Sequence, residues 1–314
     1  MTDAYAPGAV PNERTVYLNG EYVPESRAVI HIGDRGFIFG DAAFDTARTF
    51  GGNIFRLKDH IERLYRSLRY LLIDPGLSPA ELTAITEEVV ERNRSLLGPD
   101  DDYWVMQRIS RGSNFPGEPG STEGPTVAVL CNTLPLKARA SLFRGGVDVA
   151  FPPTRRTPPE CLDPNAKLHN YLNLIVAENE VQAANPGAWT ILLDTRGFLN
   201  EGNGSNIFIV RDGIVTTPRE RYVLPGVSRK VALELCLELA IPFREADISP
   251  YDAANAQEAF ITSTSLCICP VRSFQSRAIG KGEIPGPVTK RLMDGFAEKV
   301  GCDYVAQYLR HLDG

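Results

Sequence analysis

Residues 189–218 read WTILLDTRGFLNEGNGSNIFIVRDGIVTTP. Short apolar, β-branched runs alternate here with glycines, and Asp212-Gly213 is a hairpin pair. The stretch is a series of strands joined by tight turns. Glu201 falls in LNEGNGSNIF, at the end of one strand, where glycines let backbone approach closely. A carboxylate in that position can face a protonated ring nitrogen, although taken alone it reads first as a plain turn residue.

Working outward, Leu168 to Ala184 reads as a helix, and Pro152 to Pro164, with five prolines, as an ordered loop or arm. Val147 to Phe151 is a strand. On the other side, Ser228 to Ala240 reads as a helix, Ala259 to Val271 as an apolar strand interrupted by hydroxyls, and Pro287 to Leu309 as closing helix. The first ~130 residues mix the two kinds of element. TVYLNGEYV (15–23) is a hairpin around Asn19-Gly20, and Phe44 to Phe55 is extended but broken at Gly51-Gly52. Ile61, Leu64, Tyr65, Leu68 and Leu72 keep helical spacing. Ser78-Pro79-Ala80-Glu81 is a capping box that opens a helix to about Leu97. Tyr103 to Ser110 and Thr126 to Cys131 are strands around the loop Gly112 to Pro125. Residues 132–140 lack periodicity and form the expected linker. The pattern predicts a mixed α/β chain with domains at 1–131 and 141–314.

The totals exclude several functions. The 314 residues suffice for two domains, with 43% hydrophobic and 23% charged residues, as in ordinary globular proteins. A net charge of -6 and a pI near 5.4 argue against nucleic-acid and anionic-membrane partners. No stretch approaches the ~20 apolar residues of a membrane helix. The opening MTDAYAPGAVPNERT reads as a frayed leader rather than a secretory signal. Six scattered cysteines suggest reduced thiols in the cytoplasm. Cys267 and Cys269 read as alternating core residues, and no metal-ligand set surrounds them.

Five features can carry chemistry. Lys167, in PNAKLHNYLN, follows the proline loop; a desolvated lysine offers a neutral nucleophilic amine. Glu201 is the carboxylate already described. Arg63 projects from the helix near Lys58, with a forked donor set suited to phosphate. Leu224-Pro225-Gly226-Val227-Ser228 leads into a helix, where amides and the Ser228 hydroxyl cradle an anion or simply cap the helix. Thr262 to Ser265 are hydroxyls whose partners are backbone carbonyls or a ligand. Each has an ordinary explanation alone. Together, with no metal set, they meet the needs of pyridoxal phosphate: an amine for its aldehyde, a carboxylate for its ring nitrogen, and donors for its phosphate.

The sequence resembles the class IV, fold-type IV pyridoxal-phosphate enzymes, which include branched-chain and D-amino-acid aminotransferases, (R)-amine transaminases and aminodeoxychorismate lyases. The similarity runs from about Val16 to Phe296. It is carried in order by DRGFIFGDAAFDTAR (34–48), IFRLKDHIERLYRSL (54–68), KLHNYLNLIVAENE (167–180), ILLDTRGFLNEGNGSNIFIV (191–210), TTPRERYVLPGVSR (216–229) and EAFITSTSLCICPVRSF (258–274).

The resemblance implies a small N-terminal α/β domain, a larger C-terminal pseudo-barrel domain bearing the lysine, a cofactor between them, and a homodimer. It implies that Lys167 holds the cofactor and moves the substrate proton, and that Glu201 pairs with the ring nitrogen. Arg63, Val227, Ser228, Thr264 and Ser265 would bind the phosphate, Leu224 would pack on the ring, and Tyr171 would meet its phenolic oxygen.

The implied activity is ping-pong transfer of an amino group to a 2-keto acid from a branched-chain L-amino acid, a D-amino acid or an (R)-amine. Phe39, Phe44 and Arg108 fall at substrate positions. Phe39 and Met106 replace tyrosines usual in branched-chain enzymes. Arg48, Arg108 and Arg111 are candidates for the substrate carboxylate, Arg108 first among them. A lyase of the aminodeoxychorismate type and a non-catalytic cofactor-binding protein are the alternatives.

Overall fold

A computed structural model describes residues 12–115, 117–118 and 123–312. The expected frayed leader lies largely outside these residues, as does part of the loop Gly112 to Pro125. The chain divides into two compact units. One takes the described residues up to Leu134 together with Ala166–Asn170. The other takes Pro135–Asn165 and the described residues from Tyr171 onward.

The first unit is a six-stranded antiparallel sheet. Its strands are β1 (Thr15–Leu18), β2 (Glu21–Pro24), β3 (Ala42–Phe50), β4 (Asn53–Ile54), β5 (Tyr103–Ser110) and β6 (Thr126–Thr133), in the order β2-β1-β6-β5-β3-β4. Asn19 and Gly20 turn the β1–β2 hairpin with positive φ of 48° and 99°. Helices Leu57–Leu71 and Pro79–Asn93 cover one sheet face, burying Ile61, Leu64, Leu68, Leu82 and Val89. The second of them opens with the expected capping box: Glu81 N donates to Ser78 Oγ and Ser78 N to Glu81 Oε2. The helix ends at Asn93, and a 3-10 turn, Arg94–Leu96, follows.

Strand β3 decides what the helices meet. Alternation sends Ala43, Asp45, Ala47 and Thr49 toward them and Phe44 and Thr46 to the other face. Residues 167–169 run alongside β3: Phe44 N donates to the Lys167 carbonyl at 3.1 Å, and His169 N to the Ala42 carbonyl at 2.9 Å. This pairing corrects the expected helix from Leu168. The helix begins at Leu172, because the backbone of 167–169 is already engaged by a strand distant in sequence. It also explains why the lysine segment belongs with the first unit, not with residues 141–314 as the sequence suggested.

The second unit is a nine-stranded sheet. Its strands are β7 (Val147–Ala150), β8 (Trp189–Leu193), β9 (Leu199–Gly202), β10 (Ser205–Arg211), β11 (Ile214–Thr217), β12 (Phe243–Glu245), β13 (Glu258–Ser263), β14 (Cys267–Phe274) and β15 (Arg277–Ala278). The order is β12-β11-β10-β13-β14-β7-β8-β9, and β15 pairs with β14. Because β9 also pairs with β10, strands β10, β13, β14, β7, β8 and β9 close on themselves, which is the expected pseudo-barrel. Pairings β14–β7, β7–β8 and β11–β12 are parallel and the others antiparallel.

Helices Val227–Glu238 and Pro287–Val300 pack on β13 and β14. Leu235, Leu292 and Phe296 are buried there. Phe208 and Phe260, buried neighbours across β10 and β13, stack with centroids 4.6 Å apart.

Two further expectations are corrected. Ala259 to Val271 is not one strand: Thr264, Ser265 and Leu266 turn the chain between β13 and β14, helped by positive φ at Cys267. The final helix is interrupted at Gly301, whose φ of +63° caps Pro287–Val300 before Tyr304–Arg310 begins. Among the described residues, no helix is long and apolar enough to cross a membrane.

Candidate active site

In the first unit, Lys167 is 8% exposed. Its amide donates to Ser67 Oγ at 2.9 Å, and Ser67 Oγ donates to the Arg63 carbonyl at 3.2 Å. The lysine segment is thus fixed on one side by β3 and on the other by the helix Leu57–Leu71. Its Nζ lies 4.4 Å from the centroid of the Phe44 ring. The Arg108 guanidinium lies 5.4 Å from the same ring, and His169 meets it edge-on at 5.3 Å. Phe44, Lys167 and Arg108, all singled out from sequence, therefore gather at one aromatic ring. Burial, with Arg108 next, pushes the His169 imidazole down to about 4. Among the described residues its Nε2 has no hydrogen-bond partner.

Arg63 is anchored from behind. Its Nε and one Nη donate to the two Asp45 oxygens at 2.8 Å each, and His60 Nδ1 lies 2.7 Å from Asp45 Oδ1. All three side chains are buried. Burial works against the Asp45 charge, yet Arg63 and His60 hold its carboxyl far below the usual carboxylate range. Burial also pushes the His60 imidazole down, against the pull of Asp45. Asp45 carries the signal that could have revealed it: a lone charge at a core-facing strand position (Ala43, Asp45, Ala47).

Two arginines proposed for a substrate carboxylate are committed elsewhere. Arg48 is buried, donating to the Thr49 carbonyl and lying 3.5 Å from Asp102. Arg111 grips Asp41 at 2.7 and 3.0 Å and donates to the Leu71 and Leu72 carbonyls. Phe39 ends the short helix Arg35–Phe39; it is 55% exposed and packs under the Arg35 guanidinium at 5.2 Å.

In the second unit, Glu201 is buried at the end of β9. Oε1 receives Arg156 Nε at 3.1 Å, and Oε2 receives the Leu224 amide at 2.8 Å. Arg156 comes from the proline loop, where no periodicity marks it. Across the sheet Glu201 pairs with Asn206, and Asn206 with Thr262. The three share one face. Asn206 Nδ2 holds the Leu224 carbonyl at 3.0 Å. The Thr262 hydroxyl is buried with no partner among the described residues.

The two predicted anion cradles meet within this unit. Gly226 is the N-cap of the helix Val227–Glu238. Ser228 is therefore not the cap; its Oγ donates to the Ser263 carbonyl at 3.0 Å, tying the helix start to the β13–β14 turn. The amides of Val227 and Ser228 lie in the first turn, ahead of the bond from Lys230 N to the Gly226 carbonyl. Thr264 and Ser265 occupy the turn itself, and the Ser265 carbonyl accepts from Tyr308 Oη at 2.8 Å. A Cβ on Gly226 would stand 2.3 Å from Asn206 Oδ1, so a side chain there would push aside the amide that holds the Leu224 carbonyl. Tyr171, the N-cap of the helix Leu172–Ala184, packs partly buried on Leu174, Ala177 and Leu192.

Residues 42–274 match the family described as Amino-transferase class IV. The chain belongs to the class IV aminotransferases. Within this class it is similar to a Methanocaldococcus jannaschii protein with a provisional branched-chain-amino-acid aminotransferase name, 33% identical over 90% of this chain and 95% of that one. It is also similar to the D-alanine aminotransferase of Bacillus licheniformis, 29% identical over 91% and 96%. Among solved structures, the branched-chain amino acid aminotransferase of Escherichia coli superposes with a TM-score of 0.82. It is 27% identical and covers 91% of this chain and 94% of that one. This class IV aminotransferase is therefore an enzyme of mixed α/β fold, with relatives named for both branched-chain and D-amino-acid donors.

Proposed function

We propose that the protein is a pyridoxal-phosphate-dependent transaminase that moves an amino group from an amino acid to a 2-keto acid. The observation that carries the reading is the buried Lys167 amine, on a segment pinned from both sides and set against Phe44. The residues present fit the cofactor. The first unit offers a buried primary amine and an anchored arginine. The second offers a buried carboxylate in line with the Thr262 hydroxyl, which has no partner among the described residues. It also offers a helix start at Gly226 packed against the Asn206 amide.

When bound, pyridoxal phosphate supplies an aldehyde that condenses with amines and a ring that takes up the electrons released at the substrate carbon. Lys167 Nζ would hold it covalently, then, displaced by the donor amine, move a proton between the substrate and cofactor carbons. Glu201, fixed by Arg156 and the Leu224 amide, would keep a proton on the ring nitrogen. Leu224 would pack on the ring, and Tyr171 would orient its phenolic oxygen. Arg63, the Val227 and Ser228 amides, Thr264 and Ser265 would bind the phosphate. Phe39, Phe44 and Arg108 would line the substrate subsite. Of the three arginines considered, Arg108 is the one that shares the Phe44 ring with Lys167, which supports it as the substrate carboxylate partner.

A homodimer is supported by the exposed apolar run Val29, Ile30, Ile32, Phe37, Ile38 and Phe39, which would be costly in a monomer. Six free thiols support a cytoplasmic location. A panel of L-amino acids, D-amino acids and chiral amines, with pyruvate or 2-oxoglutarate as acceptor, tests the reading. Amino transfer from an amino acid is expected; release of product without an acceptor, or no transfer from any donor, would overturn it.

A further inference from the structure

We propose that Asn206 is a positioning residue for Glu201: it grips Leu224 by the carbonyl and so holds in place the Leu224 amide that aims the carboxylate. The proposal deepens the reading above and rests on it.

Residues 223–226 lie between the 3-10 turn Glu220–Tyr222 and the helix Val227–Glu238, in neither helix nor strand. Backbone groups outside a ladder must find partners elsewhere. Three asparagine amides of the same unit supply them. Asn165 Nδ2 donates to the Glu220 and Val223 carbonyls at 2.9 and 3.2 Å, and Asn200 Nδ2 to the Tyr222 carbonyl at 2.7 Å. Asn206 Nδ2 donates to the Leu224 carbonyl at 3.0 Å, which also accepts Gly226 N at 2.8 Å.

Of the three, Asn206 acts on the residue that meets Glu201. Glu201 and Asn206 are partners across β9 and β10, both buried, and both reach Leu224. The carboxylate takes its N–H at 2.8 Å, and Asn206 takes its carbonyl. The strand pair and Leu224 thus close a ring of contacts. Asn206 Oδ1 also packs against Gly226, at the start of the following helix. An ionised carboxylate has room for about four donors. Arg156 and the Leu224 amide take one place on each Glu201 oxygen, and their positions set the direction of the lone pairs that would meet a ring N–H. Freed from Asn206, Leu224 would shift, and the carboxylate would turn toward Arg156.

The test reads the ring proton itself. Purified full-length protein is loaded with pyridoxal phosphate isotopically labelled at the ring nitrogen, and the nitrogen chemical shift is followed by NMR against pH. The wild type should keep the ring proton through the neutral range. Asn206→Leu keeps the shape and removes the donor. Its ring nitrogen should lose the proton about one pH unit lower or more. Its kcat should fall about tenfold or more, while KM changes by less than about threefold. Asn206→Ala serves if the leucine variant does not fold. Asn200→Ala, which loosens only the Tyr222 carbonyl, should leave the titration unchanged. An unchanged titration in the Asn206 variant, or an equal shift in Asn200→Ala, overturns the proposal. If the wild-type protein forms no lysine adduct with pyridoxal phosphate, the cofactor reading itself fails. That outcome differs from a wild type and an Asn206 variant that hold the ring proton equally well, which overturns this proposal alone.

Discussion

Asp45 on β3 receives Arg63 on both of its oxygens, Nε and one Nη each at 2.8 Å, with every side chain in the pair buried. Removing the carboxylate would leave a buried guanidinium without its main counter-charge. Asp45→Asn should therefore cost about 3–5 kcal/mol of stability, read by denaturant unfolding. A cost near zero would mean that Arg63 reaches water easily and is not preorganised.

The same pair sets an acid limit. The folded Asp45 carboxyl lies well below its unfolded value near 3.9. Its contribution is present above that unfolded value and is lost as pH falls from it toward the folded value. His169 adds a second slope. Its folded value of about 4 lies below the ordinary 6.5, so the unfolded chain takes the proton first. Stability should fall between pH 6.5 and about 4, by roughly 3 kcal/mol at most. His169→Phe keeps a ring against Phe44 and should flatten that slope in unfolding measured across the range. An unchanged slope would contradict the burial argument.

Arg156 donates to one Glu201 oxygen, and the Leu224 amide takes the other. Arg156→Gln should keep the fold and the cofactor but let Glu201 shift. A displacement of about 1 Å can cost on the order of 100-fold in rate, so kcat should fall far more than KM rises. Wild-type kcat in this variant would show that the Leu224 amide alone fixes the carboxylate.

Gly226→Ala would drive a methyl group to 2.3 Å from Asn206 Oδ1. The strain should cost about 1–3 kcal/mol and open the turn that presents Val227 and Ser228. Lower unfolding midpoints with weaker pyridoxal phosphate binding are expected together. Unchanged cofactor affinity would separate this turn from the phosphate.

Local signals were legible in the sequence. Asn19-Gly20 turns a hairpin and Ser78 to Glu81 closes a capping box, because both depend on neighbours in the chain. The order of motifs pointed to Lys167, Glu201 and the segments 224–228 and 262–265. Signals that depend on distant partners were not legible. Residues 168–171 have helix-compatible side chains, but β3 captures the backbone at the start of that run. Arg48 and Arg111 look available until Asp102 and Asp41 are placed beside them. Arg156 sits in a segment without periodicity, and only the fold brings it to Glu201.

The most direct measurement is peptide mapping by mass spectrometry after borohydride reduction of the purified protein with pyridoxal phosphate. The account predicts one stable phosphopyridoxyl group, on Lys167, and none in the Lys167→Ala variant. A group on another lysine, or none on the wild-type chain, would contradict it.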